Sequence, residues 1–208
     1  MNLTIADILE VFPGSKVVES MPFDPVKHAG QFLSLLYGKW ERNFLGQFFE
    51  VRLIFADRAE QRFYNSPDEF LTYDLQALLK PQESGNYGIY FGVCPRIRKS
   101  GKNEDVKSIP ALWADMDGEN AQKILTFKPS PDIIVFSGNG YHAYWLLTKP
   151  VPANEITQKM LRSIQKACGS DSVSDFARIM RLPGSLNLKD PTKPKCCRVV
   201  MMGVKNAV

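Results

Sequence analysis

Apolar and polar positions alternate along several short runs of this chain, and each run predicts a β-strand. Residues 48–55 have the sequence FFEVRLIF, in which Glu50 and Arg52 interrupt aromatic and β-branched residues. This alternation is typical of a half-buried strand. Comparable patterns predict further strands over residues 61–64, 86–93, 110–116, 133–136, 141–147 and 196–202.

Helical spacing of apolar residues marks other segments. Helices are predicted over residues 27–37, 67–79, 119–127 and 154–168. Ser66 is a candidate N-cap of the second helix, with Pro67 at its first position and Glu69 three residues after the cap. In the last helix Ile156, Met160 and Ile164 share one face, and Gly169 follows where a C-cap is expected.

Strands and helices are interspersed, and the turn sequence SGNG joins two strands as a hairpin, which favours an α+β fold over a strictly parallel sheet. A chain of 208 residues with 44% hydrophobic and 23% charged residues can bury a sizeable core. Its apolar runs are far shorter than the roughly 20 residues that span a bilayer. The N-terminus is acidic and does not resemble a signal peptide, so we expect a cytoplasmic protein without a membrane partner.

Cysteine usage and charge narrow the functional classes further. The four cysteines form no CxxC pair and the chain has two histidines, so structural zinc is not expected. We interpret the adjacent Cys196 and Cys197 as reduced strand residues. A net charge of +4 and an isoelectric point of about 8.8 are compatible with nucleic-acid binding but equally with other soluble enzymes.

A pair of carboxylates follows the apolar strand predicted at residues 110–116. Asp115 and Asp117 are two positions apart in ALWADMDGEN, so both project from the same face of a strand. Such a pair suits Mg²⁺ or Mn²⁺, which prefer carboxylate, phosphate and water oxygens. The alternative is an exposed strand end closed by an Asp117-Gly118 turn.

Two later segments carry further polar groups. In IIVFSGNGYHAYW a glycine-containing turn gathers Ser137, Gly138, Asn139 and His142, and such turn amides can hold phosphate oxygens, although a plain hairpin would have the same sequence. The segment SDFARIMRLPGSLNLK contains six chemically useful side chains: Asp175, Arg178, Arg181, Ser185, Asn187 and Lys189. A solvated basic face and a Pro-Gly turn would explain it equally well.

Together the three segments fit nucleotidyl transfer, in which carboxylates hold metal ions and cationic side chains bind the triphosphate. In order and spacing they resemble the archaeo-eukaryotic primase superfamily, which combines an acidic pair, a serine-to-histidine motif and a later aspartate. Within it, ARIMRLPGSLNLK makes the chain most similar to primase-polymerases of plasmids, phages and mobile elements, including CRISPR-associated ones. The resemblance covers roughly residues 87–202.

The resemblance implies an N-terminal αβ unit and an RRM-like unit with the active site between them. We assign residues 1–85 to the first part and 86–208 to the second, within one catalytic domain. Asp115, Asp117 and Asp175 would be the metal ligands, with Asp171 as an alternative to Asp175. Nucleotide-binding residues would be Ser137, Gly138, Asn139, His142, Arg181, Asn187 and Lys189.

The expected substrates are dNTPs or NTPs, and the expected partners are a single-stranded DNA template and its primer, with further domains or mobile-element proteins as additional candidates. A basic loop, RIRKSGKNEDVK, precedes the acidic pair and could follow the template backbone. We therefore predict template contacts by Arg96, Arg98, Lys99 and Arg178. Aromatic residues near this loop, such as Tyr87 and Tyr90, could stack on bases.

Two other functions remain open from the sequence. A glycosyltransferase could use the Asp-x-Asp pair for a metal-bound nucleotide sugar, but this leaves the cationic residues of ARIMRLPGSLNLK after Asp175 unexplained. A non-catalytic single-strand binding module on an RRM-like sheet would bind without metal and release no pyrophosphate.

Overall fold

The computed structural model describes residues 16–17, 23–38, 40–118, 124, 127–170 and 174–203. Its helices are α1 (Pro25–Tyr37), α2 (Trp40–Asn43), α3 (Pro67–Tyr73), α4 (Leu75–Leu79), α5 (Gln82–Gly85) and α6 (Glu155–Cys168). Its strands are β1 (Lys16–Val17), β2 (Phe49–Ile54), β3 (Ala59–Tyr64), β4 (Gly88–Gly92), β5 (Ser108–Asp117), β6 (Ile133–Phe136), β7 (Gly140–Pro152), β8 (Ile179–Arg181), β9 (Leu186–Asn187), β10 (Lys195–Cys196) and β11 (Arg198–Met202). The helix predicted at 119–127 lies largely outside the described residues.

The strands form two antiparallel sheets and a short pair. A five-stranded sheet has the order β1-β11-β6-β7-β5, a four-stranded sheet the order β3-β2-β4-β8, and β9 pairs with β10. The predicted α+β class is confirmed. Strands β4 and β8 lie in the same sheet as β2 and β3. This sheet therefore contains strands from both sides of the division that we drew after residue 85.

Helix α1 packs across both sheets. The Phe32 ring centroid lies 5.2 Å from that of Phe91 in β4 and 5.2 Å from that of Tyr144 in β7. Asp24 caps the helix by accepting a hydrogen bond from the Lys27 amide at 3.1 Å. Burial of this apolar face couples the two sheets through one shared core.

Two predicted helices differ in detail from the structure. The segment predicted as one helix over 67–79 divides at Asp74, whose carboxylate accepts a hydrogen bond from the Tyr64 hydroxyl at 2.6 Å. The face of α6 that carries Ile156, Met160 and Ile164 is not buried along its whole length. Ile156 and Met160 are 70% and 45% exposed and Ile164 is partly buried, whereas Leu161 and Cys168 are buried on the side that packs against β5.

Glu50 departs from the predicted alternation, because it is fully buried in β2. Its Oε2 accepts a hydrogen bond from Nε of Arg96 at 2.8 Å and forms an ion pair with Nη2 of the same residue at 2.7 Å. Arg96 is also fully buried and donates to the Ala177 carbonyl at 2.9 Å. The prediction that Arg96 contacts the template is therefore wrong, because its guanidinium neutralises a buried carboxylate and cannot reach a ligand in solvent.

None of the helices in the described ranges is long and apolar enough to cross a membrane. The four cysteines are free thiols; Cys196 is exposed, and Cys94, Cys168 and Cys197 are buried.

Candidate active site

The acidic pair lies at the end of β5, the edge strand of the five-stranded sheet. Asp115 stands opposite His142 and Asp117 opposite Gly140 in the neighbouring strand β7. The two carboxylates share a face because side chains alternate along a strand, and both line one pocket. The prediction that these residues point at the same place is confirmed.

This pocket has a volume of about 110 Å³ and is lined by both sheets. It gathers eight of the residues predicted for the site: Asp115, Asp117, Ser137, Asn139, His142, Arg181, Asn187 and Lys189. Tyr90 of β4 and Ile179 of β8 complete its wall on the side of the four-stranded sheet. The site therefore lies between the two sheets, as the resemblance implies.

The turn between β6 and β7 is held against β9. Asn187 donates a hydrogen bond from Nδ2 to the Ser137 carbonyl at 2.9 Å. Gly138 has a φ of +104°, and a Cβ there would lie 2.7 Å from the Asn187 Cβ. This close approach requires glycine, so Gly138 shapes the turn that presents Ser137 and Asn139 to the pocket.

His142 is buried directly beside Asp115. Its Nε2 lies 3.6 Å from the Asp115 Oδ1, and its Nδ1 has no hydrogen-bond partner among the described residues. Burial lowers the pKa of the imidazole, against the opposing effect of the Asp115 carboxylate. A neutral imidazole can donate one hydrogen bond and accept another at this position.

Arg181 is fixed at the floor of the pocket by Tyr90. Its Nη2 donates to the Tyr90 hydroxyl at 2.5 Å, and its guanidinium carbon lies 4.6 Å from the ring centroid. Nη1 donates to the Leu186 carbonyl at 3.1 Å. The sequence did not indicate this use of Tyr90, because the two residues meet only through the pairing of β4 with β8.

Arg178 lies beside the acidic pair, although the sequence predicted a template contact for it. Its Nη2 is 3.8 Å from the Asp115 Oδ2, and its side chain is 25% exposed. The guanidinium therefore contributes positive charge next to the carboxylate that is expected to bind metal.

Asp175 is exposed and does not line the pocket, and Asp171 lies outside the described residues. Among the residues that the structure describes, no three histidine, cysteine, aspartate or glutamate side chains form a cluster suited to a metal ion. Asp115 and Asp117 alone provide two carboxylates. That donor set fits Mg²⁺ or Mn²⁺, which commonly keep water and substrate phosphate as their remaining ligands.

The basic loop after β4 has its own intramolecular contacts. Arg98 forms an ion pair with Asp105 at 2.5 Å, and the Lys99 ammonium lies 5.3 Å from the Phe48 ring centroid. Asn103 accepts hydrogen bonds through Oδ1 from the amides of Phe176 and Ala177 at 2.7 and 3.2 Å. Arg98 and Lys99 stay predicted template contacts, while Asn103 and Arg96 position the segment that carries Arg178.

A primase-polymerase domain of cyanophage S-2L, described as an AEP domain, has a similar solved structure. The TM-score is 0.62 at 16% identity, and the match covers 90% of each chain. This chain has the archaeo-eukaryotic primase fold. The resemblance drawn from the sequence motifs is thereby confirmed at the level of the fold.

Two structures of a primase named RepB′ share this primase fold. One matches with a TM-score of 0.60 and 16% identity over 85% of this chain and 56% of that chain. Its catalytic domain in complex with initiator DNA matches with a TM-score of 0.60 and 17% identity, over 87% of this chain and 85% of that chain.

A curated replication protein from Clostridium perfringens is 27% identical over 134 residues, which cover 56% of this chain and 33% of that protein. The chain with the primase fold thus corresponds to about a third of the length of this relative. No family model matches the sequence.

Proposed function

We propose that this chain is the catalytic core of a DNA primase-polymerase. It would join nucleotides from dNTPs or NTPs on a single-stranded DNA template in a reaction that requires Mg²⁺ or Mn²⁺. The observation that supports this most strongly is one pocket, within a primase fold, that combines Asp115 and Asp117 with Arg181 and Lys189. Carboxylates and cations so arranged suit a metal-bound triphosphate.

Asp115 and Asp117 would hold the metal, and Asp175 stays a predicted third ligand although it does not line the pocket in this structure. The bound ion would lower the pKa of a primer 3′-hydroxyl and offset the charge of the triphosphate. Arg178 is close enough to Asp115 to reduce the repulsion between neighbouring carboxylates before an ion is bound.

The triphosphate would be bound by the other groups of the pocket. Arg181 presents a guanidinium already oriented by Tyr90 and by the Leu186 carbonyl, so little side-chain entropy is lost when it binds phosphate. Lys189 and His142 add a cation and a neutral donor at the same pocket. Ser137, Gly138, Asn139 and Asn187 would contribute turn amides and side-chain dipoles.

The test is incorporation of labelled nucleotide on a primed single-stranded template with Mg²⁺ or Mn²⁺. Asp115→Asn preserves the size of the side chain while it removes the charge, and should lower incorporation by at least about a hundredfold, the scale expected when a group that stabilises transition-state charge is lost. Glu155→Gln is the matched control, since it removes an exposed carboxylate in the first turn of α6.

Equal incorporation by Asp115→Asn and the wild-type chain would contradict the assignment. Binding of single strands that needs no metal and releases no pyrophosphate would favour the non-catalytic module. Transfer of sugar from a nucleotide sugar, without nucleotide incorporation, would favour the glycosyltransferase. Product formed on a template without a primer would show that the chain can start strands as well as extend them.

A further inference from the structure

Residues 189–198, which we call the basic segment, form an exposed and strongly cationic part of the surface. The segment has the sequence KDPTKPKCCR, with four cationic residues and one acidic residue. All of its side chains are exposed except that of Cys197. The Lys193 side chain makes no hydrogen bond or ion pair with any part of the chain that the structure describes. Its charge is available to a partner in solvent.

Local hydrogen bonds hold the basic segment in a defined conformation. Asp190 accepts through Oδ1 from the Thr192 amide at 3.0 Å and from its hydroxyl at 2.6 Å. Lys195 pairs with Asn187 in the short antiparallel pair of β10 and β9. The cationic side chains are therefore carried by an ordered backbone, which reduces the entropy lost when a ligand binds.

The basic segment begins at the candidate active site. Lys189 lines the pocket that contains Asp115 and Asp117. Lys195 donates from Nζ to the Asn139 side chain at 2.7 Å, and Asn139 lines the same pocket. A strand held along this segment would thus enter the pocket directly.

A groove of about 320 Å³ runs beside the segment. Leu188, Lys189 and Pro191 form one wall, and Ile54, Phe55 and Tyr90 lie among the residues that line the rest. The groove shares Tyr90, Arg181 and Lys189 with the active-site pocket, so the two are continuous. Aromatic and apolar surface next to cations is the combination that binds single-stranded nucleic acid.

We propose that the basic segment, mainly through Lys193 and Lys195, binds the phosphate backbone of the single-stranded template, with bases directed into the adjoining groove. This role in template binding depends on the proposed polymerase function. It adds to the path predicted along residues 96–107, where Arg98 and Lys99 stay predicted contacts and Arg96 is buried against Glu50.

The test is the affinity of the chain for a fluorescent single-stranded oligodeoxynucleotide in EDTA, across a range of salt concentrations. Lys193→Ala/Lys195→Ala is compared with two double variants that remove the same charge at exposed lysines. Lys99→Ala/Lys102→Ala tests the loop predicted from the sequence, and Lys159→Ala/Lys166→Ala on α6 controls for net charge. Lys193→Ala alone separates the loss of its charge from the loss of the Lys195 contact with Asn139.

Lys193→Ala/Lys195→Ala should weaken binding roughly three- to tenfold near 0.1 M salt and lower the slope of log affinity against log salt by about 1.4, or about 0.7 for each lost contact to a single strand. Lys193→Ala alone should account for about half of that change in slope. The α6 variant should bind as the wild-type chain does.

Wild-type affinity of Lys193→Ala/Lys195→Ala for the oligodeoxynucleotide would overturn the proposal. An equal loss of affinity in the α6 variant would also overturn it, and so would a loss of affinity seen only in Lys99→Ala/Lys102→Ala. Because this assay needs neither metal nor nucleotide, it is independent of catalysis. If binding depends on Lys193 and Lys195 but the chain incorporates no nucleotide, the proposed polymerase function is wrong, while the proposed binding of single-stranded DNA by this surface still holds.

Discussion

Gly140 of β7 stands opposite Asp117 of β5, with no room for a side chain between the two strands. A Cβ at Gly140 would lie 2.1 Å from the Met116 carbonyl oxygen and 2.7 Å from the Asp117 Oδ1. A side chain would force the two strands apart, so Gly140→Ala should reduce the free energy of unfolding by about 1–3 kcal/mol.

Gly30 is the matched control for that substitution. It lies within α1, and a Cβ there would meet no other atom within 4 Å. Gly30→Ala should therefore raise the free energy of unfolding by up to about 1 kcal/mol. Thermal melts of both variants test the pair, and an equal melting temperature for Gly140→Ala and the wild-type chain would contradict the close approach of the strands.

The cysteines should differ sharply in reactivity. Burial raises the pKa of Cys94 to about 12 and that of Cys168 to about 11, and it raises the pKa of Cys197 as well. Thiolate, the reactive form, is therefore scarce at these three residues near neutral pH, whereas Cys196 is exposed.

Iodoacetamide at pH 8 should modify only Cys196 in the native chain and all four cysteines in denaturant. Mass spectrometry of the wild-type chain and of Cys196→Ser measures this directly. Rapid modification of native Cys196→Ser would show that the buried thiols are accessible.

Several candidate site residues could be predicted individually, because their positions follow from spacing within a short stretch of sequence. Asp115 and Asp117 alternate on a strand, so their common face follows from the spacing. Arg96 illustrates the limit. Its partner Glu50 is 46 positions away, and nothing near either residue in the sequence indicates that both are buried.

At the scale of elements, the Glu50 and Arg96 pair connects β2 to the segment before β8. Arg96 binds Glu50 and donates to the carbonyls of Phe176 and Ala177. Arg96→Ala would leave the buried Glu50 carboxylate with Arg52 and the Gln61 amide as partners at Oε1 and without a cation at Oε2, so we expect a loss of about 3 kcal/mol in the free energy of unfolding.

Arg62→Ala is the control in urea denaturation, because its ion pairs with Glu60 and Asp74 involve side chains that are 36–40% exposed. Removing such pairs should cost less than about 1 kcal/mol. If Arg96→Ala is as stable as the wild-type chain but binds DNA more weakly, the result would contradict the structural role and support the template contact predicted from the sequence.

Strand positions were predicted more accurately than helix faces. The strand predicted at 133–136 has the observed bounds, and those at 48–55 and 86–93 each differ by one or two residues at either end. Spacing placed Ile156, Met160 and Ile164 on one face of α6, but it did not indicate that Leu161 and Cys168 are buried, because the contact with β5 decides which side of the helix faces the core. The helix predicted over 67–79 divides at Asp74, whose hydrogen bond from the Tyr64 hydroxyl of β3 could not be predicted from the spacing of apolar residues.

For the whole molecule, the arrangement of the two sheets decides which residues meet. Tyr90 and Arg181 come from the four-stranded sheet, and Asp115 and His142 from the five-stranded sheet. Solved primase structures have a similar fold and so share this arrangement of sheets. The proposed polymerase activity depends on the residues that the fold brings together. Association with a CRISPR system stays a prediction from the sequence resemblance alone.

The most direct measurement of the central claim is template-directed nucleotide incorporation coupled to pyrophosphate release. The chain is given a primed oligo(dT) template, Mg²⁺ or Mn²⁺, and either dATP or dGTP, with ATP in place of dATP to test ribonucleotide use. We expect one pyrophosphate for each adenine nucleotide incorporated and little incorporation of dGTP. We expect no product in EDTA and at least about a hundredfold less with Asp115→Asn. Incorporation that ignores the template base, or persists without divalent metal, would contradict the account.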